Sequence, residues 1–140
     1  MELQVGVKIL LKNAEAGLFL LVERSSKYPG IEDTWDIVGG RIVSGETLLD
    51  SLRREVKEET GLSIIGEPKV VAAQDILKDS KRHVVRITYI GYTKGEPCID
   101  SESKSYRWVI FDEFKKMPNL DEFLWEVLIK ELVRENMFHE

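Results

Sequence analysis

Glu55, Glu58 and Glu59 occupy positions i, i+3 and i+4 of one short segment, and Arg54 comes directly before them. On a helix that spacing puts three carboxylates on one side. Like charges so placed repel, and an uncompensated set destabilises the helix that carries it. A divalent cation is the simplest compensation. Hard cations such as Mg²⁺ take oxygen ligands and keep coordination positions for water and substrate phosphates. Arg54 lies one turn before Glu58, so its guanidinium can pair with and orient a glutamate. The chemistry these residues suit is metal-assisted attack on a phosphate-bearing substrate.

A helix has to hold them. The run from Leu48 to Thr60 contains no Gly or Pro and is rich in Leu, Arg, Glu and Lys, all good helix formers. Thr47 is a capping type, and Gly61 stands where a left-handed C-terminal cap is expected. At about 100° per residue, Leu48, Leu49, Leu52 and Val56 fall in one arc of about 100°, the width of a core-facing stripe. Glu55, Glu58 and Glu59 fall in the adjoining arc, with Asp50, Arg53 and Lys57 on the far side. Solvated acids normally lie opposite the stripe, whereas these three converge at the edge of the core. A surface helix whose acids pair with lysines is the plain alternative. It does not account for the combined spacing of Gly40, Glu46, Arg54, Glu55, Glu58, Glu59 and Gly61.

Residues 40–62, GRIVSGETLLDSLRREVKEETGL, resemble the Nudix box. That family pattern is a glycine, five residues, Glu, seven residues, Arg-Glu, an aliphatic residue, any residue, Glu-Glu, any residue, Gly and an aliphatic residue. Every fixed position is matched. The resemblance implies an α/β protein with the Nudix fold, an α/β/α sandwich around a mixed β-sheet. It implies metal held by Glu55, Glu58, Glu59 and the Gly39 carbonyl, with Mg²⁺ as the cofactor or Mn²⁺ in its place. It casts Arg54 as the residue that orients the carboxylates, Glu46 as support for the loop, and Glu55 as the general base, with Glu102 second. Many relatives carry proline before the paired glycines; Val38 stands there in this chain, a departure expected to alter loop stiffness rather than chemistry.

Composition sets the outer limits. A chain of 140 residues with 43% hydrophobic residues suits one domain, 1–140, with a real core. A net charge of −5 argues against a stable nucleic-acid partner. The longest apolar run, Leu18 to Val22, is too short to span a membrane. The single cysteine, Cys98, excludes an internal disulfide and argues against a thiolate metal site. The N-terminus alternates like a strand and lacks a signal-peptide layout, so a cytoplasmic location is expected. Oligomeric state is left open, a homodimer included.

Read in order, the chain gives a half-buried strand over Leu3 to Lys12, a turn from Asn13 to Gly17, and a strand over Leu18 to Val22. A short strand from Trp35 to Val38 runs into Gly39-Gly40, glycines that let the backbone approach a ligand. After the helix come strands at Lys69 to Leu77, His83 to Tyr92 and Tyr106 to Phe111, with a loop from Thr93 to Ser103. Apolar spacing predicts a C-terminal amphipathic helix from about Leu120 to Asn136.

Other candidates weigh less. His83 starts a strand and His139 lies in a terminal tail, so zinc is poorly supported. Arg24, Arg86 and Gly40 are candidate substrate contacts, the arginines for phosphate; Lys27, Lys81 and Arg82 belong to the same set, and solvated surface charge is the plain reading of each cation. Trp35 and Trp108 suit core packing better than base stacking. Glu102 and Asp100 lie in the loop where several Nudix members carry a further acid, and a solvated loop acid is an equal alternative there. The activity implied by the resemblance is hydrolysis of a diphosphate bond in a nucleoside diphosphate linked to another group. The substrate is a small nucleotide, with a nucleoside triphosphate giving nucleoside monophosphate and pyrophosphate as the first choice. Nucleotide sugars or ADP-ribose are the alternatives, as is a non-catalytic nucleotide-sensing module. The proline near Leu77 typical of ADP-ribose enzymes and the tyrosine typical of diadenosine-polyphosphate hydrolases are both absent.

Overall fold

The computed structural model describes residues 1–138, so His139 lies outside the described residues. Seven strands form one mixed sheet: β1 (Glu2–Asn13), β2 (Phe19–Arg24), β3 (Trp35–Asp36), β4 (Val38–Arg41), β5 (Ile65–Ile76), β6 (Arg82–Thr93) and β7 (Ser103–Val109). Two α-helices, α1 (Leu48–Thr60) and α2 (Glu122–Ile129), join them. The parallel β1–β6 pair runs the full twelve-residue length of both strands. Every other pairing between these strands is antiparallel.

The sheet forks beside β1. Near its start, β1 pairs with β4, from Gly6 opposite Arg41 to Ile9 opposite Val38. At its far end it pairs with β2, Lys12 opposite Phe19. The chain crosses the fork at Ile37: Asp36 still pairs with Val22 of β2, and Val38 already pairs with Ile9 of β1. Burial of Ile37 anchors that crossing.

The residues of β1 show why both faces of the sheet are covered. Val7, Ile9 and Leu11 point to one face, where they meet Leu52 and Val56 of α1. Leu10 points to the other face and meets Leu124, Val127 and Leu128 of α2. Each such fully buried side chain stabilises the fold by roughly 1.5–3 kcal/mol. The expected α/β/α layering is therefore present. The second half of β1 is buried on both faces rather than half-buried, because the strand sits in the middle of the sheet.

Two expectations need correction. Trp35 to Val38 is two short strands rather than one, split by the crossing at Ile37. The C-terminal helix ends at Ile129, not near Asn136. Asp121 caps its start, accepting from the amides of Phe123 and Leu124. Glu131 then takes a positive φ of 54°, which ends the helical path. Leu132 and Val133 supplied the apolar spacing, yet they follow that turn; Val133 returns to the core from outside the helix. Strand edges also shift: β5 starts at Ile65 and β7 at Ser103, each earlier than expected.

Among the described residues, no helix is long and apolar enough to cross a membrane.

Candidate active site

Helix α1 is capped at both ends by the residues the sequence offers. The Thr47 side chain accepts from the Asp50 amide, and Gly61 adopts φ 71° with its N–H on the Lys57 carbonyl. Leu52 and Val56 are fully buried against the sheet, and that burial fixes the rotation of the helix. The three acids consequently meet different environments. Glu59 is 5% exposed. The Glu55 side chain is 15% exposed and that of Glu58 is 58% exposed. The expected convergence holds for Glu55 and Glu59; Glu58 faces outward. Among the described residues, no three His, Cys, Asp or Glu side chains are already gathered as a metal-ligating set. Arg54 engages two of the three acids, Glu55 and Glu58.

Arg54 is the hub of this surface. Its Nε and one terminal nitrogen donate to the two Glu46 oxygens at 2.9 and 3.0 Å. The other terminal nitrogen donates to Glu55 Oε1 at 2.9 Å and to Glu58 Oε2 at 3.2 Å. Glu46 also accepts from the Ser51 hydroxyl. Hydrogen bonds from Arg54 and Ser51 hold the Glu46 carboxyl down at about 2. The fork of a guanidinium is what permits this four-oxygen arrangement. The long spacing between Glu46 and Arg54 is thus the distance from a loop acid to a helix cation.

The paired glycines press against the acids. A Cβ at Gly39 would overlap the Val7 carbonyl oxygen, and its φ of 145° suits only glycine. A Cβ at Gly40 would land on the Glu55 carboxylate. The Gly39 amide donates to Glu59 Oε2 at 3.2 Å.

A cavity of about 520 Å³ opens over this corner, and Glu55, Glu59, Glu102, Lys8 and Tyr28 contribute to its walls. Burial pushes the Glu59 carboxyl up to about 8; Lys8 opposes the rise, and the charges of Glu55 and Glu102 add to it. Burial, Asp100 and Glu55 likewise raise Glu102. Tyr28 is pushed up to about 12 by burial and by Glu102 and Glu59. Several acids in one partly buried corner, with oxygen donors and no sulfur or imidazole, fit a hard cation such as Mg²⁺.

Glu102 reaches this corner through main-chain anchoring. The loop after β6 docks on the end of α1: the Cys98 amide donates to the Thr60 carbonyl and the Asp100 amide to the Glu59 carbonyl. Those carbonyls are orphans of a helix C-terminus. The Asp100 side chain turns back to accept from the Glu102 amide at 3.1 Å. The two loop acids therefore differ in use, since Glu102 alone of the pair lines the cavity.

Farther in, the cavity meets a buried ionic network. Asp36, 1% exposed, accepts from both terminal nitrogens of Arg86 at 2.9 Å and from Arg24 at 2.7 Å. Lys8 lies 3.3 Å from it. Burial alone would raise the Asp36 carboxyl, but Arg86, Lys8 and Arg24 hold it well below the usual range. Asp121 completes the set, 3.0 Å from Arg24 and 3.3 Å from Arg86.

This corrects the expectation for Arg24 and Arg86. Both line the cavity, yet their terminal nitrogens are committed to Asp36 and Asp121 instead of standing free for phosphate. Lys27 bonds to Ser101, Arg82 pairs with Asp79 and His83 with Asp75. Trp108 packs against the α1-side core and Trp35 against the α2-side core. Asp36, Lys8 and Asp121 went unrecognised in the sequence. The available signal was an aspartate inside an apolar strand, Trp35-Asp36-Ile37-Val38, matched by an arginine in mid-strand at 86.

Comparison with known proteins agrees with the geometry. A family model described as NUDIX domain matches residues 2–130. The 8-oxo-dGTP diphosphatase of Buchnera aphidicola is 30% identical over 111 residues, covering 79% of this chain and 79% of that protein. The nucleoside triphosphatase NudI of Salmonella arizonae is 25% identical over 108 residues, covering 70% and 77%. A crystal structure of a MutT protein from Methanosarcina mazei superposes with a TM-score of 0.82 at 27% identity, covering 98% of this chain and 97% of that one.

Proposed function

Because the chain belongs to the NUDIX domain family, we propose that it is a divalent-cation-dependent pyrophosphohydrolase acting on nucleoside triphosphates. The bond cleaved is a diphosphate linkage, and the products are a nucleoside monophosphate and pyrophosphate. The observation that carries this reading is the oxygen-lined corner where Glu55, Glu59 and Glu102 share one cavity beneath Gly39 and Gly40. The printed activities of the Buchnera and Salmonella relatives support the substrate class.

Glu55, Glu59 and the Gly39 carbonyl would hold the cation, with Glu58 joining from the outer side of α1. A bound Mg²⁺ supplies positive charge to phosphate oxygens and lowers the pKa of bound water. Everything else falls to the chain. Arg54 fixes Glu55 through Oε1, which leaves Oε2, the oxygen nearest Gly40, to take the proton from the attacking water. Glu46 holds Arg54 in turn. Missing side chains at Gly39 and Gly40 let this backbone pack against β1 and the Glu55 carboxylate, which keeps the acid in the corner. Lys8 stands against the acids from the sheet side and limits their mutual repulsion.

The test is a panel of nucleoside triphosphates, deoxynucleoside triphosphates, nucleotide sugars and ADP-ribose with Mg²⁺, with products separated by chromatography. Monophosphate and pyrophosphate from triphosphates, dependent on Mg²⁺, is the expected result. Turnover of nucleotide sugars or ADP-ribose alone would move the substrate assignment, and no turnover of anything by folded protein would overturn the reading.

A further inference from the structure

Five cations line the cavity: Lys8, Arg24, Arg41, Lys78 and Arg86. Arg24 and Arg86 give their terminal nitrogens to Asp36 and Asp121. Lys78 pairs with Glu122. Arg41 is exposed and donates to Gln4 at 2.6 Å. Lys8 is placed differently. It projects from β1 on the same face as Leu10, the α2 side of the sheet. Its ammonium donates to the Ile37 carbonyl at 3.2 Å and lies 3.3 Å from Asp36 Oδ2. An ammonium carries three N–H groups, and among the described residues no further acceptor meets the third.

The charges around Lys8 do not balance. Three cations, Lys8, Arg24 and Arg86, face two carboxylates, Asp36 and Asp121. One positive charge is left over, and a charge removed from water without a partner is costly. Both arginines pair with both carboxylates. The excess therefore sits at Lys8, which is also the most exposed cation of the three, at 18%. Glu59 and Glu102 feel its charge from the acid corner, yet among the described residues Asp36 is its only ion-pair partner. In the ladder Lys8 lies opposite Gly39, whose amide holds Glu59. Lys8 thus stands where the buried network meets the acid corner, on the cavity wall.

Resting on the pyrophosphohydrolase reading, we propose that Lys8 binds a phosphate oxygen of the substrate. Its third N–H donates to that oxygen, and the negative charge of the phosphate balances the network. Lys8 then grips the phosphate chain from the sheet, while the acids of α1 serve the metal. An ammonium suits the task, because it is a point charge whose donors can turn toward the phosphate.

The test separates phosphate binding from metal binding. Lys8→Gln and Lys8→Met remove the charge, and Lys8→Arg keeps it. Asp36 retains Arg24 and both Arg86 nitrogens in each variant, and melting curves check the fold. Calorimetry with Mg²⁺ follows binding of the α,β-methylene analogues of the four nucleoside triphosphates, whose bridging carbon blocks cleavage at that bond. Mg²⁺ alone is titrated in parallel, and steady-state kinetics are measured on the triphosphates themselves. Loss of the charge is expected to weaken the analogues by roughly tenfold or more, the scale of a hydrogen bond to a charged group. KM rises in similar measure while kcat changes much less. Mg²⁺ alone binds as tightly as before or more tightly, since a positive charge has left its surroundings. Lys8→Arg keeps most of the analogue affinity. Wild-type analogue binding and KM in folded Lys8→Gln or Lys8→Met overturn the contact, spare the hydrolase reading and leave Lys8 as a partner of Asp36 alone. An equal loss of Mg²⁺ binding also overturns it, because Lys8 then acts through the acids. A wild type that binds no analogue and shows no Lys8 effect on KM overturns it too. Analogue binding that depends on Lys8 in a protein that hydrolyses nothing supports the contact and overturns the hydrolase reading.

Discussion

The amide of Gly39 donates to Glu59 Oε2 at 3.2 Å, twenty residues away in sequence. That bond joins the strand that crosses the fork in the sheet to the inner acid of α1. It places a carboxylate with only 5% exposure against a backbone position that no side chain can share.

Glu59 makes stability depend on pH in the metal-free protein. Its folded-state pKa is raised to about 8, against an ordinary 4.5, so the folded state binds the proton more tightly than the unfolded chain. Stability is then highest below about pH 4.5 as far as this group is concerned, and falls as pH rises toward 8. The loss is on the order of a few kcal/mol. Chemical denaturation in EDTA at pH 6 and pH 8.5 should show it, and Glu59→Gln should flatten the difference. Added Mg²⁺ should restore stability to the wild type at pH 8.5 more than to Glu59→Gln. An identical pH slope in the two proteins would remove Glu59 as the cause.

Glu59→Gln should also lower kcat by roughly 10²-fold or more, the scale of lost transition-state charge stabilisation. Glu58→Gln tests the outer acid separately. Its side chain is 58% exposed, so a large kcat loss there, with an unchanged melting temperature, would show that Glu58 swings in to hold metal. Wild-type turnover in both variants would sink the ligand assignment.

Arg54→Lys keeps one positive charge and loses the planar donor fork. Four carboxylate contacts rest on that fork. Turnover is expected to drop by about tenfold or more, because Glu55 loses its fixed orientation. Partly exposed ion pairs contribute little to folding, so the melting temperature should move by only a few degrees. Steady-state kinetics beside a melting curve separate the two effects, and equal kcat would make Arg54 a surface charge.

Glu102 and Asp100 provide an internal comparison on one loop. Glu102→Gln should lower kcat or raise the Mg²⁺ concentration needed for half-maximal rate. Asp100→Asn, whose side chain bonds to the Glu102 amide, should do much less. Initial rates across a Mg²⁺ titration decide between them; wild-type behaviour of Glu102→Gln throughout would confine the chemistry to α1.

Asp36→Asn leaves Arg86 and Arg24 with one remaining acid, Asp121, and takes from Lys8 its 3.3 Å partner. Removing one partner from a buried ionic set typically costs about 3–5 kcal/mol. A fall of that size in unfolding free energy is expected, together with loss of activity at temperatures where the wild type is stable. A change below about 1 kcal/mol would mean that water already reaches the network.

The helix of acids was legible because its information is local. Thr47, Gly61 and the stripe of Leu52 and Val56 fix its ends and rotation without any distant contact, and Glu55 and Glu59 follow from the period. The outward position of Glu58 was not legible, because spacing gives an angle around the helix, not the depth of a neighbour; its carboxylate meets Arg54 and solvent. The buried network was not legible because Asp36, Arg86 and Asp121 are brought together only by the sheet and by α2. The end of α2 was missed for a related reason. Leu132 and Val133 kept helical spacing in sequence, while the positive φ at Glu131 sent them to the core by another route.

The loop that carries Glu102 is held to α1 by the amides of Cys98 and Asp100, so what residue 98 is matters less than where its backbone lies. The Cys98 thiol is exposed and is the only one in the chain. A maleimide dye would therefore attach at one native position without cysteine engineering elsewhere. It would ride on a main-chain tether in the same loop as Glu102, and Cys98→Ser would supply the unlabelled control.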